Sequence, residues 1–374
     1  MKKTCVQINW QRQFGGGEVY TRFFTQALQS LGWEVHLVVD RQAKFWNELG
    51  LQGVKFIPID HGREIADVLP RNISTVVTQN TLPPELAELI ASRHRLGGIV
   101  HMPLNDRDPK GLSHYHQIFA VSAYVRESIR NRGHTQVHDE PLLGVADLAL
   151  RGKSNGAIYC RSEYDWDRRK FRDQVLSWLE PLNSFRPRRM FERNPGLTLG
   201  IVSRLTPIKQ FPALFSLLSP VLADFPQVSL DVFGSGGYAS VRDLKKALEP
   251  MQHRVRFWGH QPDPAAVYSQ LDYVISGLPE REALGLNLIE AQAIGTPVIA
   301  VNAAPFTETV IHGQSGFLYT DPRNDSGNDF RSLMQNLCSG GAVIDPRLAT
   351  DHLAKFSVEA FRCRVESALQ KLAA

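Results

Sequence analysis

Apolar positions along the chain fall into two alternating rhythms. Short β-rich runs, CVQINW (5–10), EVHLVV (34–39), VKFIPI (54–59), STVVTQN (74–80), GGIVHMP (97–103) and QIFAVS (117–122), read as strands. Between several of them apolar residues recur at three- and four-residue spacing. The segment from Glu18 places Val19, Phe23, Phe24, Ala27, Leu28 and Leu31 on one helical face, and Gly32 stands where a helix would stop. PPELAELIASRHR and AYVRESIRNRG follow as further helices. Buried strands alternating with helices predict a parallel sheet covered on both faces.

The rhythm breaks at residues 183–196, NSFRPRRMFERNPG, whose prolines and arginines have no period and suit an exposed linker. A second alternation then begins: LTLGIVS, the helix PALFSLLSPVLADF, VSLDVFG, the helix SVRDLKKALEPM, VRFWG, the helix PAAVYSQL, YVIS, the helix LNLIEAQAIG, PVIAV and GFLY. The expected fold class is therefore α/β, with an N-terminal domain over 1–185 and a C-terminal domain over 195–356. A last helix, 357–374, closes the chain. Residue identities show no short repeat period, which excludes a solenoid.

Composition agrees with this division. At 374 residues the chain is too long for one ordinary core. With 43% hydrophobic and 21% charged residues it is globular, not disordered or fibrous. The N-terminus lacks the apolar core of a signal peptide and no stretch is long enough to span a membrane, so the expected location is cytoplasmic. Cys5, Cys160, Cys338 and Cys363 are far apart, as reduced thiols are, with neither disulfide density nor a CxxC pair. Net charge is only +4, yet basic residues bunch at Arg168, Arg169, Lys170 and Arg172 and at Arg186, Arg188, Arg189 and Arg193. Such bunches are either solvated helix faces or contacts for an anionic partner, a phosphorylated glycan or a lipid surface. Without interleaved aromatic residues they do not suit nucleic acid.

Ligands of open parallel sheets bind outside the carboxyl ends of the strands, and four motifs fall at such ends. Gly15, Gly16 and Gly17 follow the first strand and precede the helix at Glu18. Backbone N–H groups there, unobstructed by Cβ atoms, would hold an anion or a sugar, although a plain tight turn accounts for the glycines too. In SRLTPIK, Arg204 and Lys209 place two cations at one strand end, where they could grip a diphosphate and neutralise charge as a sugar–diphosphate bond breaks. FGSGGYA (233–239) matches a loose dinucleotide fingerprint and raises the rival of a nicotinamide oxidoreductase. Its strand is the second of its domain, however, and VRFWGH ends without the acid that would hold a ribose.

The fourth motif is PEREALGLNLIEAQAIGTPVIAV, with Glu282 and Glu290 eight positions apart. On one continuous helix they would be turned by about 800° and stand two turns apart, sharing no site. With Glu282 in a loop and Glu290 in the first turn of a helix beginning near Asn287, both can face a ligand at the helix N-terminus. A carboxylate accepts paired hydrogen bonds from vicinal hydroxyls, so Glu282 would grip a sugar and Glu290 a ribose. The unblocked N–H groups near Gly285 and Leu286 would lie between them. Dipole complementation by Glu290 is the structural alternative.

These residues resemble the retaining nucleotide-sugar glycosyltransferases of family four. Glu282 to Glu290 is similar to that family's E-x7-E signature, and Arg204 with Lys209 to its R-x4-K pair. VFGSGG, VRFWGH, GTPVIAV and ETVIHGQSGFL (308–318) fall in its order and spacing. The resemblance implies the B-type fold (GT-B), two facing Rossmann-like domains with an interdomain cleft, and a C-terminal helix packed back on the first domain. It implies that Arg204 and Lys209 bind the diphosphate, that Glu290 holds the ribose, and that Glu282 contacts the donor sugar with the backbone of Ala283, Leu284, Gly285 and Leu286. By its own sequence the glycine loop at Gly234 would pass close to a ligand, and the resemblance implies that Trp258 to His260 meet the base. Gly16 and Gly17 would approach the acceptor and phosphates, and His101 would stand beside the transferred sugar. Departures are Ser203 for glycine, Leu284 for phenylalanine, and Ala304 and Pro305 for a glycine pair.

The resulting expectation is a retaining hexosyltransferase that moves a sugar from a nucleotide diphosphate donor, UDP-linked, to a hydroxyl of a glycan or glycolipid in cell-surface polysaccharide or lipopolysaccharide synthesis. It needs no cofactor and no obligatory metal. Asp106-Arg-Asp108 and Asp165-Trp-Asp167 have DxD spacing but read as loop or helix-start acids. Peripheral contact with the inner membrane face through the basic clusters is part of the expectation. Alternatives are an epimerase or phosphorylase of the same fold, and a non-catalytic sugar-nucleotide binding protein.

Overall fold

A computed structural model of the chain describes residues 3–12, 15–105, 107, 109–146, 156–165, 189–341 and 343–373. Two compact units result, Met1–Ala146 with Ala354–Ala374, and Asp147–Leu353. Each contains a six-stranded, all-parallel sheet.

The first sheet has the order β3-β2-β1-β4-β5-β6. Its strands are β1 (Thr4–Asn9), β2 (Glu34–Asp40), β3 (Lys55–Ile59), β4 (Thr75–Thr78), β5 (Arg95–Val100) and β6 (Gln117–Ala120). The second has the order β12-β11-β10-β7-β8-β9, which repeats the same topology. It is built from β7 (Leu197–Val202), β8 (Val228–Phe233), β9 (Val255–Phe257), β10 (Tyr273–Ile275), β11 (Val298–Val301) and β12 (Gly316–Tyr319). Helices cover both faces, so the central strands carry near-continuous apolar runs: Leu199, Ile201, Leu230, Val232, Val274, Ile275, Val298 and Ile299 are all fully buried. The first sheet instead accepts a polar seam against the helix Gly16–Ser30, where Gln7 donates to Thr25 (2.7 Å) and Asn9 to Thr21 (2.9 Å). Bonded in this way, the buried amides avoid most of their desolvation cost.

Two expected boundaries shift. The helix Gly16–Ser30 begins two residues ahead of Glu18, so Gly16 and Gly17 form its first turn instead of a loop before it. The first domain ends near Ala146, not at 185, because Gly156–Asp165 joins the second unit. Arg161 N–H donates to the Trp258 carbonyl (3.0 Å), Asp165 N–H to that of Gly236 (2.8 Å), and Tyr159 bridges to Met190. A chain so bonded to the second sheet cannot belong to the first core.

The C-terminal helix Val358–Ala373 packs on the first sheet and on the helix Gly16–Ser30. The ring of Phe361 meets that of Tyr20 edge-on at 5.3 Å, and Leu372 fills the space beside Gly97, where an added Cβ would stand 2.9 Å from its methyl. Replacing the fully buried Phe361 by Ala should cost the first unit about 3–5 kcal/mol, read as an earlier transition in denaturant unfolding. An unchanged midpoint would show that the helix is dispensable.

Candidate active site

In the second sheet, β7 pairs with β8 on one side and β10 on the other, so the connections leaving β7 and β10 turn opposite ways. A crevice opens at the carboxyl ends of such a pair. Tyr273 and Val274 of β10 stand opposite Leu199 and Gly200 of β7, which brings the following loops side by side. One carries Arg204 and Lys209, the other Glu282.

Glycines set how closely these loops pack. A Cβ on Gly234 would lie 1.8 Å from the Ser203 carbonyl oxygen, one on Gly236 would lie 2.1 Å from that of Leu205, and one on Gly277 would lie 2.0 Å from that of Lys209. No side chain fits at any of the three. The Arg204–Lys209 segment is thus held between the loops after β8 and β10. Asn287 adds a tie, its Nδ2 donating to the Val202 carbonyl at the end of β7 (3.2 Å). Of the three glycines, only Gly234 is a site candidate from sequence. Glycine at a strand end was the available signal for Gly277, while Asn287 gave none.

Lys209 and Glu282, 73 positions apart, form a direct ion pair between Nζ and Oε2. The other carboxylate oxygen accepts from the Ala283 N–H (3.2 Å). Burial alone would raise the Glu282 carboxyl pKa. The Lys209 ammonium and the backbone N–H groups of Ala283 and Gly285 outweigh it and hold the group below its usual value. Glu282 is therefore a fixed anion.

Gly285 adopts φ 80°, in the left-handed region that glycine tolerates, and starts the helix Leu286–Ile294, which ends at Gly295 with φ 97°. Glu290 consequently lies at the fifth helical position, one position further along than a helix starting at Asn287 would place it, and is 6% exposed. Its Oε2 accepts from the hydroxyl of buried Tyr268 (3.0 Å), a partner with no sequence signal. Ala283 is half-buried and Leu284 buried, so only their backbone could meet a ligand.

On the β8–β9 side, Trp258 is wholly buried. Its indole N–H donates to Asp231 Oδ1 (2.8 Å), which also accepts from Arg256 (2.7 Å), and Arg189 stacks over the ring at 4.6 Å. The indole belongs to the core, and any contact with a base falls to the chain at Gly259 and His260. His260 is exposed, and its pKa is lowered by partial burial and by the charges of Arg161 and Arg204, against Asp165. The N–H groups of Gly234 and Gly236 donate to the carbonyls of Gly259 (2.9 Å) and Glu163 (3.0 Å). With those amides engaged, the loop cannot cradle a dinucleotide pyrophosphate, which removes the nicotinamide reading.

In the first unit, Gly16 and Gly17 open the helix Gly16–Ser30, and a Cβ on either would meet nothing within 4 Å. His101 follows β5, and its Nε2 lies 2.7 Å from Gln79 Oε1. Burial lowers its pKa from 6.5 to about 4, so the ring is neutral at ordinary pH. Of the basic clusters, Arg193 is paired with Asp272 and Arg189 is committed to Trp258, so neither is an open anion contact. Arg168, Arg169, Lys170, Arg172, Arg186, Arg188, Asp106, Asp108 and Asp167 lie outside the described residues. Among the described residues no helix is long and apolar enough to cross a membrane, and no acidic, histidine or cysteine cluster suits a metal ion.

Residues 188–336 match the family model described as glycosyl transferases group 1. A D-inositol 3-phosphate glycosyltransferase of Corynebacterium kroppenstedtii is 31% identical over 181 residues, covering 42% of this chain and 37% of that protein. The capsular polysaccharide biosynthesis glycosyltransferase CapM of Staphylococcus aureus is 29% identical over 145 residues, 38% of this chain and 36% of CapM. The matched segments thus span little more than a third of these relatives. Among solved structures, Anabaena HepE in complex with UDP-glucose superposes with a TM-score of 0.67 at 15% identity, over 98% of this chain and 99% of HepE. The lipopolysaccharide outer core galactosyltransferase WaaB gives 0.67 at 15% identity over the same shares. At such identity the likeness concerns the fold, two Rossmann-like domains.

Two outcomes test this geometry. Gly277→Ala should lower stability by about 1–3 kcal/mol, measured by urea unfolding, because the new methyl strikes the Lys209 carbonyl. His101 binds its proton more weakly in the fold (about 4) than at its ordinary 6.5. Its contribution is therefore complete above pH 6.5 and is lost as pH falls toward 4, by up to about 3 kcal/mol. His101→Gln should flatten that acid limb; an equally steep limb would assign it to other groups.

Proposed function

We propose that the protein is a retaining glycosyltransferase, moving a hexose from a nucleotide diphosphate sugar, UDP-linked, to a hydroxyl of a glycan or glycolipid. The observation that carries this reading is the convergence of Lys209 and Glu282 from neighbouring loops at the switch point of the second sheet, beside the helix that presents Glu290. The similarity of residues 188–336 to glycosyl transferases group 1 supports it, as does the fold shared with HepE, whose structure holds UDP-glucose.

Arg204 and Lys209 neutralise the diphosphate, whose charge grows as the anomeric bond breaks, the task a metal ion otherwise performs. Glu282 orients Lys209 and turns its fixed carboxylate to the sugar hydroxyls, and Glu290 receives the ribose hydroxyls. The acceptor attacks from the face the diphosphate leaves, and a departing phosphate oxygen takes its proton, so no side-chain base is required. Gly16 and Gly17 leave room for acceptor and phosphates at a helix N-terminus. Peripheral membrane contact would fall to Arg168, Arg169, Lys170 and Arg172.

A panel of nucleotide sugars, scanned by thermal shift and then for slow hydrolysis, identifies the donor. Lys209→Ala should weaken UDP binding by at least about tenfold in calorimetry, the worth of one charge-assisted hydrogen bond. Glu282→Ala should abolish transfer while shifting stability by no more than about 1 kcal/mol, since Lys209 can reach water. Heat with no nucleotide sugar, or a collapse of stability in Glu282→Ala, would refute the assignment. Donor turnover without acceptor would favour an epimerase, and phosphate-dependent sugar release a phosphorylase.

A further inference from the structure

At the carboxyl end of the first sheet, β4 and β5 are paired neighbours, Thr78 standing opposite Gly98. Gln79 and His101 leave their ends side by side. The turn that carries Gln79 is tightly bonded. Its N–H donates to the Ile8 carbonyl (2.8 Å), Thr78 Oγ1 donates to the Asn80 carbonyl (2.6 Å), and Asn80 Oδ1 accepts from Trp10 N–H (3.1 Å). His101 is held on another side by Tyr20, whose ring meets the imidazole edge-on at 4.9 Å and whose hydroxyl donates to the Leu142 carbonyl (2.8 Å).

Gln79 is 7% exposed, so its amide lies in a place where an unmade hydrogen bond is costly. Its Oε1 lies 2.7 Å from His101 Nε2, and its Nε2 is buried with no partner among the described residues. An amide oxygen facing a neutral imidazole nitrogen requires that nitrogen to carry the proton. The other ring nitrogen, Nδ1, is then bare, and among the described residues it accepts no hydrogen bond.

We propose that Gln79 is the positioning residue of His101: its amide oxygen fixes the Nε2–H tautomer, so that Nδ1 offers its lone pair to a substrate hydroxyl. This deepens the transferase reading and, for its substrate part, rests on it. The imidazole stays neutral and acts as a hydrogen-bond acceptor, not as a proton donor. A hydroxyl, which can donate, is a group that suits one bare nitrogen.

The test uses the full chain labelled with 15N-histidine, the His101 signals being assigned against His101→Gln. At neutral pH the wild type should show a protonated Nε2 and a bare Nδ1. Gln79→Leu should give a mixture of both tautomers, and Gln79→Glu, which keeps an acceptor oxygen, should restore the single one. A proton on Nδ1 in the wild type, or an unaltered tautomer in Gln79→Leu, would overturn the proposal. The wild-type spectrum decides this even if the leucine variant fails to fold. With UDP-glucose as donor probe, Gln79→Leu should lower kcat roughly tenfold, about one neutral hydrogen bond, and leave KM within about twofold. An unchanged kcat beside a mixed tautomer would defeat the substrate role. The expected tautomer in a protein that turns over no nucleotide sugar would uphold the Gln79–His101 pairing and defeat only the transferase reading.

Discussion

Three places where one loop's backbone lies against another's α-carbon govern the second sheet's carboxyl edge. Gly234, Gly236 and Gly277 each leave the carbonyl of Ser203, Leu205 or Lys209 room that any Cβ would take. Because the loop after β7 is clamped in this way, Lys209 starts from a defined position, and its ammonium reaches the carboxylate of Glu282 without a search. Interiors packed at this density transmit small displacements instead of absorbing them. A methyl at Gly277 therefore acts on Lys209 and, through it, on Glu282.

The Lys209–Glu282 pair is better understood as preorganisation than as stabilisation. Both side chains are partly withdrawn from water, at 24% and 15% exposure, so desolvation offsets much of their attraction. What the pair achieves is a carboxylate and an ammonium of fixed charge and direction, with the backbone N–H of Ala283 committed to the anion. A ligand entering there meets dipoles already aligned and need not reorganise them. The buried Tyr268–Glu290 hydrogen bond does the same for the second carboxylate, one helical turn further in.

The first unit uses a different device. The polar groups at the ends of β1, β4 and β5 are neutral: Asn9, Gln79, Asn80 and an imidazole whose proton burial disfavours. Neutral amides and hydroxyls suit recognition of hydroxyls as the charged groups of the second unit suit an anion. The polar seam between Gln7, Asn9, Thr21 and Thr25 keeps β1 and its helix in one register, since slippage would leave buried amides unbonded.

Apolar periodicity by itself determined the twelve strands of the described residues, the main helices between them and the division into two α/β halves, because both periods are local and the central strands are buried on both faces. Spacing and position also placed Arg204, Lys209, Glu282 and Glu290 at strand ends of one sheet. Tertiary structure alone decided who partners whom. That Lys209 meets Glu282, that Tyr268 holds Glu290, that Trp258 turns into the core, that Gln79 faces His101 and that Gly156–Asp165 joins the second unit all depend on loops from distant parts of the chain. Such contacts leave no periodic trace, since a loop's path is set by the backbone atoms it packs against and not by its own pattern of residues.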